Sequence, residues 1–313
     1  MFENFLVSVA AVFPMMVLMT IGVIVRKVGI VNKEENRHFN RMIFVVFFPV
    51  MMFSNLYGMD LSKDMDWSVV LYGVVAISIV VLASISFVCK IEKTPESRGA
   101  MIQAIYRSNF VIMGLPIVAN FYGHGNLAVT AMMVSVIVPY YNVLAVIILE
   151  TFRGGKIRPL NIVRQIIKNP LIVGGVCGIA AAITGLKLPG IVEELVHEMG
   201  TVATPMALVI LGISFDFDSL EKCRRNLVIS VVGKLVVVPG IFLTLAAILG
   251  FRDIEFVTLI AMLTTPASVS SFTMAESMGS DSQLAGNSVI VSSIASCFTI
   301  FLWIFVFKAY GIF

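Results

Sequence analysis

The chain has 313 residues, of which 58% are hydrophobic and only 13% are charged, with a mean hydropathy of +0.98. A soluble protein of this length needs far more polar surface, so the composition indicates an integral membrane protein. The net charge of +3 says little by itself, and no nucleic-acid partner is expected. The four cysteines lack a metal or redox spacing, so neither a metal nor another cofactor is predicted.

Apolar runs of about 20 residues recur along the chain, and each is long enough to cross a bilayer as a helix. The first run lacks a basic region and a cleavage site, so it is interpreted as a retained span rather than a signal peptide. Asn169-Pro170 is predicted to start the sixth span. Ten spans are predicted, at 5–25, 39–57, 67–89, 99–121, 127–149, 169–186, 192–214, 226–249, 255–278 and 284–307.

The basic residues of the loops set the predicted orientation. Sixteen Lys and Arg residues fall in the loops on one side of the membrane, and four fall on the other. The positive-inside rule places the sixteen in the cytoplasm, so both termini are predicted to face outward across the plasma membrane.

An internal repeat emerges when the sequence is shifted against itself by 156 residues. The shift aligns six glycine or proline pairs, including Pro14 with Pro170 and Pro49 with Pro205, where chance gives roughly one. It defines a five-span repeat at 1–150, a cytoplasmic linker at 151–168 and a second repeat at 169–313. Because five is odd, the second copy enters the membrane inverted, and inverted repeats are typical of secondary transporters.

Spans 4 and 9 carry polar interruptions that the same shift brings into register. Asn109 is interpreted as a helix N-cap, and Thr265 as an N-cap followed by Pro266 at the first helical position. Each span is therefore predicted to consist of two half-helices. The inverted symmetry places both breaks near the bilayer centre, where two half-helix N-termini favour an anion. Such interruptions also form simple kinks, but their coincidence under the repeat favours a functional site.

Two basic residues lie inside spans. Arg107 follows Arg98 by nine residues, which places it roughly 13 Å deep in a core about 30 Å thick. An arginine there costs about 2.5–3.5 kcal/mol on insertion scales, so it should face a cavity or a partner. It contacts an anionic substrate, pairs with a carbonyl terminus or snorkels to the surface. Lys234 is as deep, and is either a cavity charge or a cation that neutralises a helix break.

Two further residues are open to two interpretations each. Glu276, in the second half of span 9, is either a proton-coupling carboxylate or a solvated group near the membrane surface. Asn142 either lines a substrate path or makes an interhelical hydrogen bond. The 18 methionines are most simply interpreted as apolar packing.

Two motifs resemble those of the auxin efflux carrier family. "SNFVIMGLP" (108–116) is similar to its span-4 signature, an Asn followed by Gly-x-Pro, here Gly114 and Pro116. "TTPASVSSFTMAESMG" (264–279) is similar to its span-9 crossover. The resemblance implies a bile acid/sodium symporter-like fold, all-α, with ten transmembrane helices in a 5+5 inverted repeat and broken, crossing helices 4 and 9. It also implies a scaffold and dimer surface from helices 1, 2, 6 and 7, and a mobile core from helices 3–5 and 8–10.

The resemblance implies substrate contact at Asn109 and around Pro266, and bacterial-type members include malonate and malate carriers. The predicted substrate-binding set is Arg107, Ser108, Asn109, Thr265, Pro266, Ala267, Ser268 and Ser270. The chain departs from the family in two ways. Plant members have proline where this chain has Ser108, so the first crossover is either softer or formed by hydrogen bonding. Span 3 has no acidic residue, which leaves the coupling ion, H+ or Na+, open.

The resulting hypothesis is a homodimeric secondary transporter of a small organic anion, a mono- or dicarboxylate, that uses an elevator mechanism. The alternatives are a sodium-coupled symporter of the bile-acid type and an anion channel lined by the broken helices. The sequence lacks HExxH and GxSxG motifs, so an enzyme is not expected.

Overall fold

The computed structural model of the chain describes residues 2–57, 67–123, 127–154 and 159–313. Every named secondary-structure element in these ranges is helical, which confirms the prediction of an all-α fold. Residues 155–158 of the predicted linker lie outside the described residues. The α-helices are α1 (Phe2–Lys27), α2 (Lys33–Met42), α3 (Phe48–Tyr57), α4 (Ser68–Ile91), α5 (Pro95–Tyr106), α6 (Leu115–Tyr122), α7 (Ala128–Thr151), α8 (Pro159–Lys168), α9 (Pro170–Thr184), α10 (Gly190–Ser214), α11 (Phe217–Lys222), α12 (Arg224–Val232), α13 (Val238–Ile248), α14 (Asp253–Thr264), α15 (Val269–Met278) and α16 (Ser282–Ala309).

In the described ranges, three π-helical segments interrupt or precede these helices, and each ends two residues before a proline. Proline has no N–H to donate, and its ring clashes with the carbonyl group four residues earlier, so the preceding turn widens. The first and third segments join α2 to α3 and α12 to α13 into continuous helices, and the second leads into α6. The pairs are Ile43–Phe47 with Pro49, Phe110–Gly114 with Pro116, and Gly233–Val237 with Pro239.

Six helices of the described chain are long and apolar enough to cross a membrane, and they correspond to six of the predicted spans. Two shorter apolar helical stretches, Phe110–Tyr122 and Pro170–Thr184, correspond to the second half of span 4 and to span 6. α9 begins at Pro170 as predicted, and the Asn169 side chain caps it by accepting from the Leu171 N–H at 3.0 Å. The six long helices are Glu34–Tyr57, Ser68–Ile91, Ala128–Thr151, Gly190–Ser214, Arg224–Ile248 and Ser282–Ala309.

The helices pack as a panel and a larger group. α1 packs along α10, and α3 packs along both α9 and α10; we call these four helices the panel. α5 contacts α4, α7, α12 and α16, while α14 contacts α6, α7, α13 and α16. The two interrupted spans therefore lie inside the larger group of helices, and their breaks are buried within it.

Candidate functional site

The interruptions of spans 4 and 9 cross each other. Three non-helical residues separate α5 from the π-helical segment that follows it, and four separate α14 from α15. The backbone N–H of Asn109 donates to the Pro266 carbonyl oxygen at 2.8 Å. Ser108 and Ala267 form an isolated antiparallel bridge beside this bond. The structure thus brings together the two breaks that the repeat paired.

The predicted capping of the second break is wrong. Thr265 is the C-cap of α14 rather than the N-cap of the next half-helix, and α15 begins only after Ser268. Pro266 lies in the non-helical stretch between the two helices, where its carbonyl group pairs with the first break. Asn109 occupies the predicted N-cap position of its π-helical segment, but its side chain makes no capping hydrogen bond.

Both second half-helices start without a side-chain cap. The first N–H groups of a helix have no partner within it, and they carry the positive end of its dipole. Ser268, at the N-cap of α15, pairs its hydroxyl with that of Ser270 at 2.9 Å instead of capping the helix. Two uncapped N-termini at one place suit an anion.

Arg107 is only 3% exposed and does not snorkel to the surface. One terminal nitrogen donates to Gln103 Oε1 at 3.1 Å and to Met274 Sδ at 2.9 Å. The other donates to Asn142 Oδ1 and to Ser270 Oγ, the latter at 2.8 Å. The guanidinium group therefore ties α5, α7 and α15 together at the crossing, with four neutral acceptors around it.

Lys234 reaches the crossing from the other side. Its side chain is 1% exposed, and its Nζ donates to the Ser108 hydroxyl. No described carboxylate lies within ion-pair distance of it. Lys234 therefore places a cation beside the bridge, at the break of span 4.

A cavity lies between the crossing and the panel. Its empty volume, counted together with its open mouth, is about 540 Å³. Arg107 is the one charged residue of the described chain that lines it. The other lining residues are Phe48, Met51, Met52, Ser108, Asn109, Phe110, Val111, Ile112, Val138, Tyr141, Asn142, Leu171, Thr204, Ser268, Val269 and Ser270.

Seven predicted positions do not line this cavity. Four of them, Thr265, Pro266, Ala267 and Lys234, lie at the crossing itself, and the other three lie outside it. Gly114 ends the π-helical segment and Pro116 lies in the first turn of α6, so both shape the half-helix after the crossing rather than the crossing itself. Glu276 lies further along α15, where its carboxylate faces Arg37 Nε at 3.9 Å. The structure does not bring Glu276 to the crossover.

Sequence reasoning left the role of Asn142 open and missed two features of the site, the methionine acceptors and Tyr141. Asn142 lies at the centre of the network, since its Oδ1 accepts from Arg107 and its Nδ2 donates to Met52 Sδ at 3.0 Å. Methionines, interpreted as apolar packing, supply hydrogen-bond acceptors here. The Tyr141 hydroxyl lies near Ser108 but has no partner at hydrogen-bond distance within the described structure. The one available signal was the asparagine within the apolar span 5.

Known proteins similar to this chain are membrane transport proteins. The model of a family of membrane transport proteins matches residues 7–304. An uncharacterized transporter of Methanocaldococcus jannaschii is 20% identical over 308 residues, which cover 95% of this chain and 98% of the relative. An uncharacterized transporter of Methanothermobacter thermautotrophicus is 22% identical over 302 residues, covering 96% and 98%. The chain is a multi-pass membrane protein, and it belongs to this membrane transport protein family, the auxin efflux carrier family that its motifs resemble.

Proposed function

We propose that the protein is a secondary active transporter that moves a small organic anion, a mono- or dicarboxylate, by elevator-type alternating access. The observation that carries the proposal is the crossing of two uncapped half-helix N-termini beside a buried guanidinium group. Discontinuous helices that meet inside a transporter form substrate sites in this way, because their ends supply unpaired N–H groups and partial charges.

The helix bounds support the inverted repeat. Shifted by 156 residues, α4 covers 224–247, and a long helix covers Arg224–Ile248. Shifted likewise, α7 covers 284–307, and α16 covers Ser282–Ala309. The close contacts of the panel follow the same relation: Gly22 packs on Gly212 between α1 and α10, and their repeat mates Gly178 and Leu56 pack between α9 and α3.

The division of the helices into the panel and the larger group supports an elevator mechanism, in which one group moves against the other. The panel corresponds to spans 1, 2, 6 and 7, for which we propose the scaffold and homodimer roles. The larger group holds both broken helices, and we propose that it moves with its substrate against the panel. The plasma membrane, with both termini outside, is the proposed location because of the distribution of basic loop residues.

The substrate carboxylate is proposed to lie at the N-termini of the π-helical segment and α15. There it meets the backbone N–H groups of the first turns, which have no side-chain cap, and the Ser268 and Ser270 hydroxyls. Arg107 supplies the positive charge of the cavity, although its four terminal N–H groups already have acceptors. Its contribution is therefore chiefly electrostatic, in a site where low dielectric strengthens such attraction.

Transport by purified protein in proteoliposomes tests the proposal. Uptake of labelled malonate, malate and phenylacetate is compared for the wild type, Asn109→Ala and Arg107→Ala, with Asn226→Ala as a control outside the cavity. We expect uptake of at least one anion by the wild type and the control, and its loss in both site variants. Unchanged uptake in both site variants refutes the site, and no uptake of any anion by the wild type refutes the function.

Ion gradients across the same vesicles, together with recordings in planar bilayers, distinguish the alternative functions. Uptake driven by a sodium gradient and indifferent to a pH gradient indicates a sodium-coupled symporter of the bile-acid type. Stepwise conductance in planar bilayers indicates an anion channel. Saturable uptake driven by a pH gradient, without such conductance, supports proton-coupled transport.

A further inference from the structure

Polar groups around the crossover cavity use methionine sulfur atoms as hydrogen-bond acceptors. In the described chain all hydrogen bonds to thioethers occur here, and all four donors line the cavity. The bonds are Arg107 Nη1 to Met274 Sδ (2.9 Å), Asn109 Nδ2 to Met15 Sδ (3.6 Å), Asn142 Nδ2 to Met52 Sδ (3.0 Å) and Thr204 Oγ1 to Met51 Sδ (3.6 Å).

Asparagines elsewhere in the protein find stronger partners. The Nδ2 of Asn36 donates to the Ile210 carbonyl oxygen and the Ser214 hydroxyl, and that of Asn40 donates to the Thr273 carbonyl oxygen. These asparagines are as deeply buried as those at the cavity. Asn287, which is also buried outside the cavity, donates to the Ser219 hydroxyl at 2.9 Å and to the Cys223 thiol at 3.4 Å. Burial alone therefore does not explain thioether acceptors, which in the described chain occur only around the cavity.

The orientation of the Asn142 amide follows from its neighbours. Arginine has donors only, so the amide oxygen of Asn142 must face Arg107 and its NH2 group must face Met52. Asn142 therefore presents a fixed donor to the cavity, and the group opposite that donor is a weak acceptor. Asn109 shows the same pairing with Met15, at a longer distance.

A weak acceptor is easier to displace than a strong one. A carbonyl or carboxylate opposite Asn142 would compete with the oxygen atoms of a substrate, whereas a leucine would leave the buried donor without a partner. Methionine lies between these extremes, and its flexible side chain can move aside. Met15 and Met52 also belong to α1 and α3 of the panel, so these two bonds join the panel to the group that holds the crossing.

We propose that Met52, and more weakly Met15, are placeholder acceptors that give up the amide donors of Asn142 and Asn109 to the oxygen atoms of a carboxylate substrate. This inference rests on the proposed transport function and adds Asn142 to the binding site. Met52 acts as a positioning residue, and its acceptor strength sets substrate affinity.

The test compares Met52→Leu, which removes the acceptor, with Met52→Gln, which replaces it with a strong acceptor of similar length. Uptake is measured in proteoliposomes with whichever of malonate, malate and phenylacetate the wild type transports. For Met52→Leu we expect KM to fall by about twofold to tenfold. For glutamine we expect a rise of about the same size, with kcat retained. The same two substitutions at Met206, partly buried on α10 and outside the cavity, are expected to leave KM unchanged.

A structural role for Met52 predicts a different pattern, in which both variants lose kcat and apparent stability together. Equal KM values for Met52→Leu, Met52→Gln and wild type overturn the inference and leave the transport function standing. Absence of uptake by the wild type overturns both. A second measurement, the 13C-methyl resonance of Met52 in nanodiscs, is expected to shift when the transported anion is added while that of Met206 does not; an unshifted Met52 resonance also overturns the inference.

Discussion

The contacts between the panel helices and those at the crossover are both buried, but the helices meet in different ways. In the panel, backbones touch: a Cβ atom added to Gly22 would overlap the Val209 carbonyl oxygen, and one added to Gly174 would overlap that of Pro49. At the crossover, the backbones meet only at the two breaks, through the Asn109–Pro266 hydrogen bond, and the side-chain network of Arg107 joins the helices around them. Small residues allow close and permanent contact within a membrane, whereas polar groups with exchangeable partners suit contacts that change. The contrast supports the proposed division between a rigid panel and a mobile group of helices.

The largest predicted effect comes from breaking the backbone contact of the panel. A Cβ atom on Gly212 would overlap the Met19 carbonyl oxygen, and backbone cannot move aside as a flexible side chain can. We expect Gly212→Leu to destabilise the fold by about 3 kcal/mol, the upper end of overpacking effects, and to lower the melting temperature and the yield of monodisperse protein. Gly190→Leu on the same helix, with no atoms near its added Cβ, is the control. Equal melting temperatures for the two variants would contradict the close contact.

The second largest effect is the loss of stability expected when Arg107, whose guanidinium group joins three helices by hydrogen bonds, is replaced. Alanine leaves the buried acceptors of Gln103, Asn142 and Ser270 without their shared donor, at a cost of about 1–3 kcal/mol. Lysine restores the charge but not the planar fork that reaches acceptors on three helices, so Arg107→Lys is expected to recover little stability. Thermal unfolding in detergent measures both variants. Wild-type stability in Arg107→Lys would mean that the positive charge, rather than the planar guanidinium group with its several donors, stabilises the crossing.

A double-mutant cycle sharpens the role of the second cation. Lys234→Met and Ser108→Ala each remove one partner of the same buried hydrogen bond, so the double variant is expected to cost less than the sum of the two. We expect a coupling energy of about 1 kcal/mol from chemical or thermal unfolding. Ser108→Ala combined with Thr130→Ala, whose hydroxyl pairs with Thr258 elsewhere, should be additive. If the effects of Lys234→Met and Ser108→Ala were also additive, the hydrogen bond between these residues would not contribute to the stability of the crossover.

Much of this architecture could be predicted because it follows from periodicity and composition. Apolar runs located the long helices, and the offset of 156 residues paired Ser108-Asn109 with the break of span 9. The cap at Thr265 was misplaced because Thr-Pro is a strong local signal for a helix start. In the folded chain, Pro266 instead uses its carbonyl oxygen to pair with a residue far away in sequence.

The remaining features depend on side-chain partners that no local pattern encodes. Whether Arg107 snorkels or stays buried depends on acceptors from α7 and α15, and neither helix is near it in sequence. Methionine is ordinarily a packing residue, so the acceptor role of Met52 depends entirely on the amide that the fold places against it. The close glycine contacts of the panel were not predicted either: the glycines indicated the repeat, and the grouping of helices 1, 2, 6 and 7 came only from the resemblance to the family.

The smallest predicted effect lies outside both regions, at the ion pair of Arg37 and Glu276. Their separation is 3.9 Å, and the Arg37 side chain is 77% exposed, so the pair is screened by water and salt. We expect Glu276→Gln to change the free energy of unfolding by less than about 1 kcal/mol, with a smaller change at high salt. Because Glu276 does not line the crossover cavity, uptake driven by a pH gradient should also persist in this variant. Loss of that gradient dependence, with uptake by exchange intact, would instead identify Glu276 as the proton-coupling carboxylate and place part of the transport machinery outside the crossover.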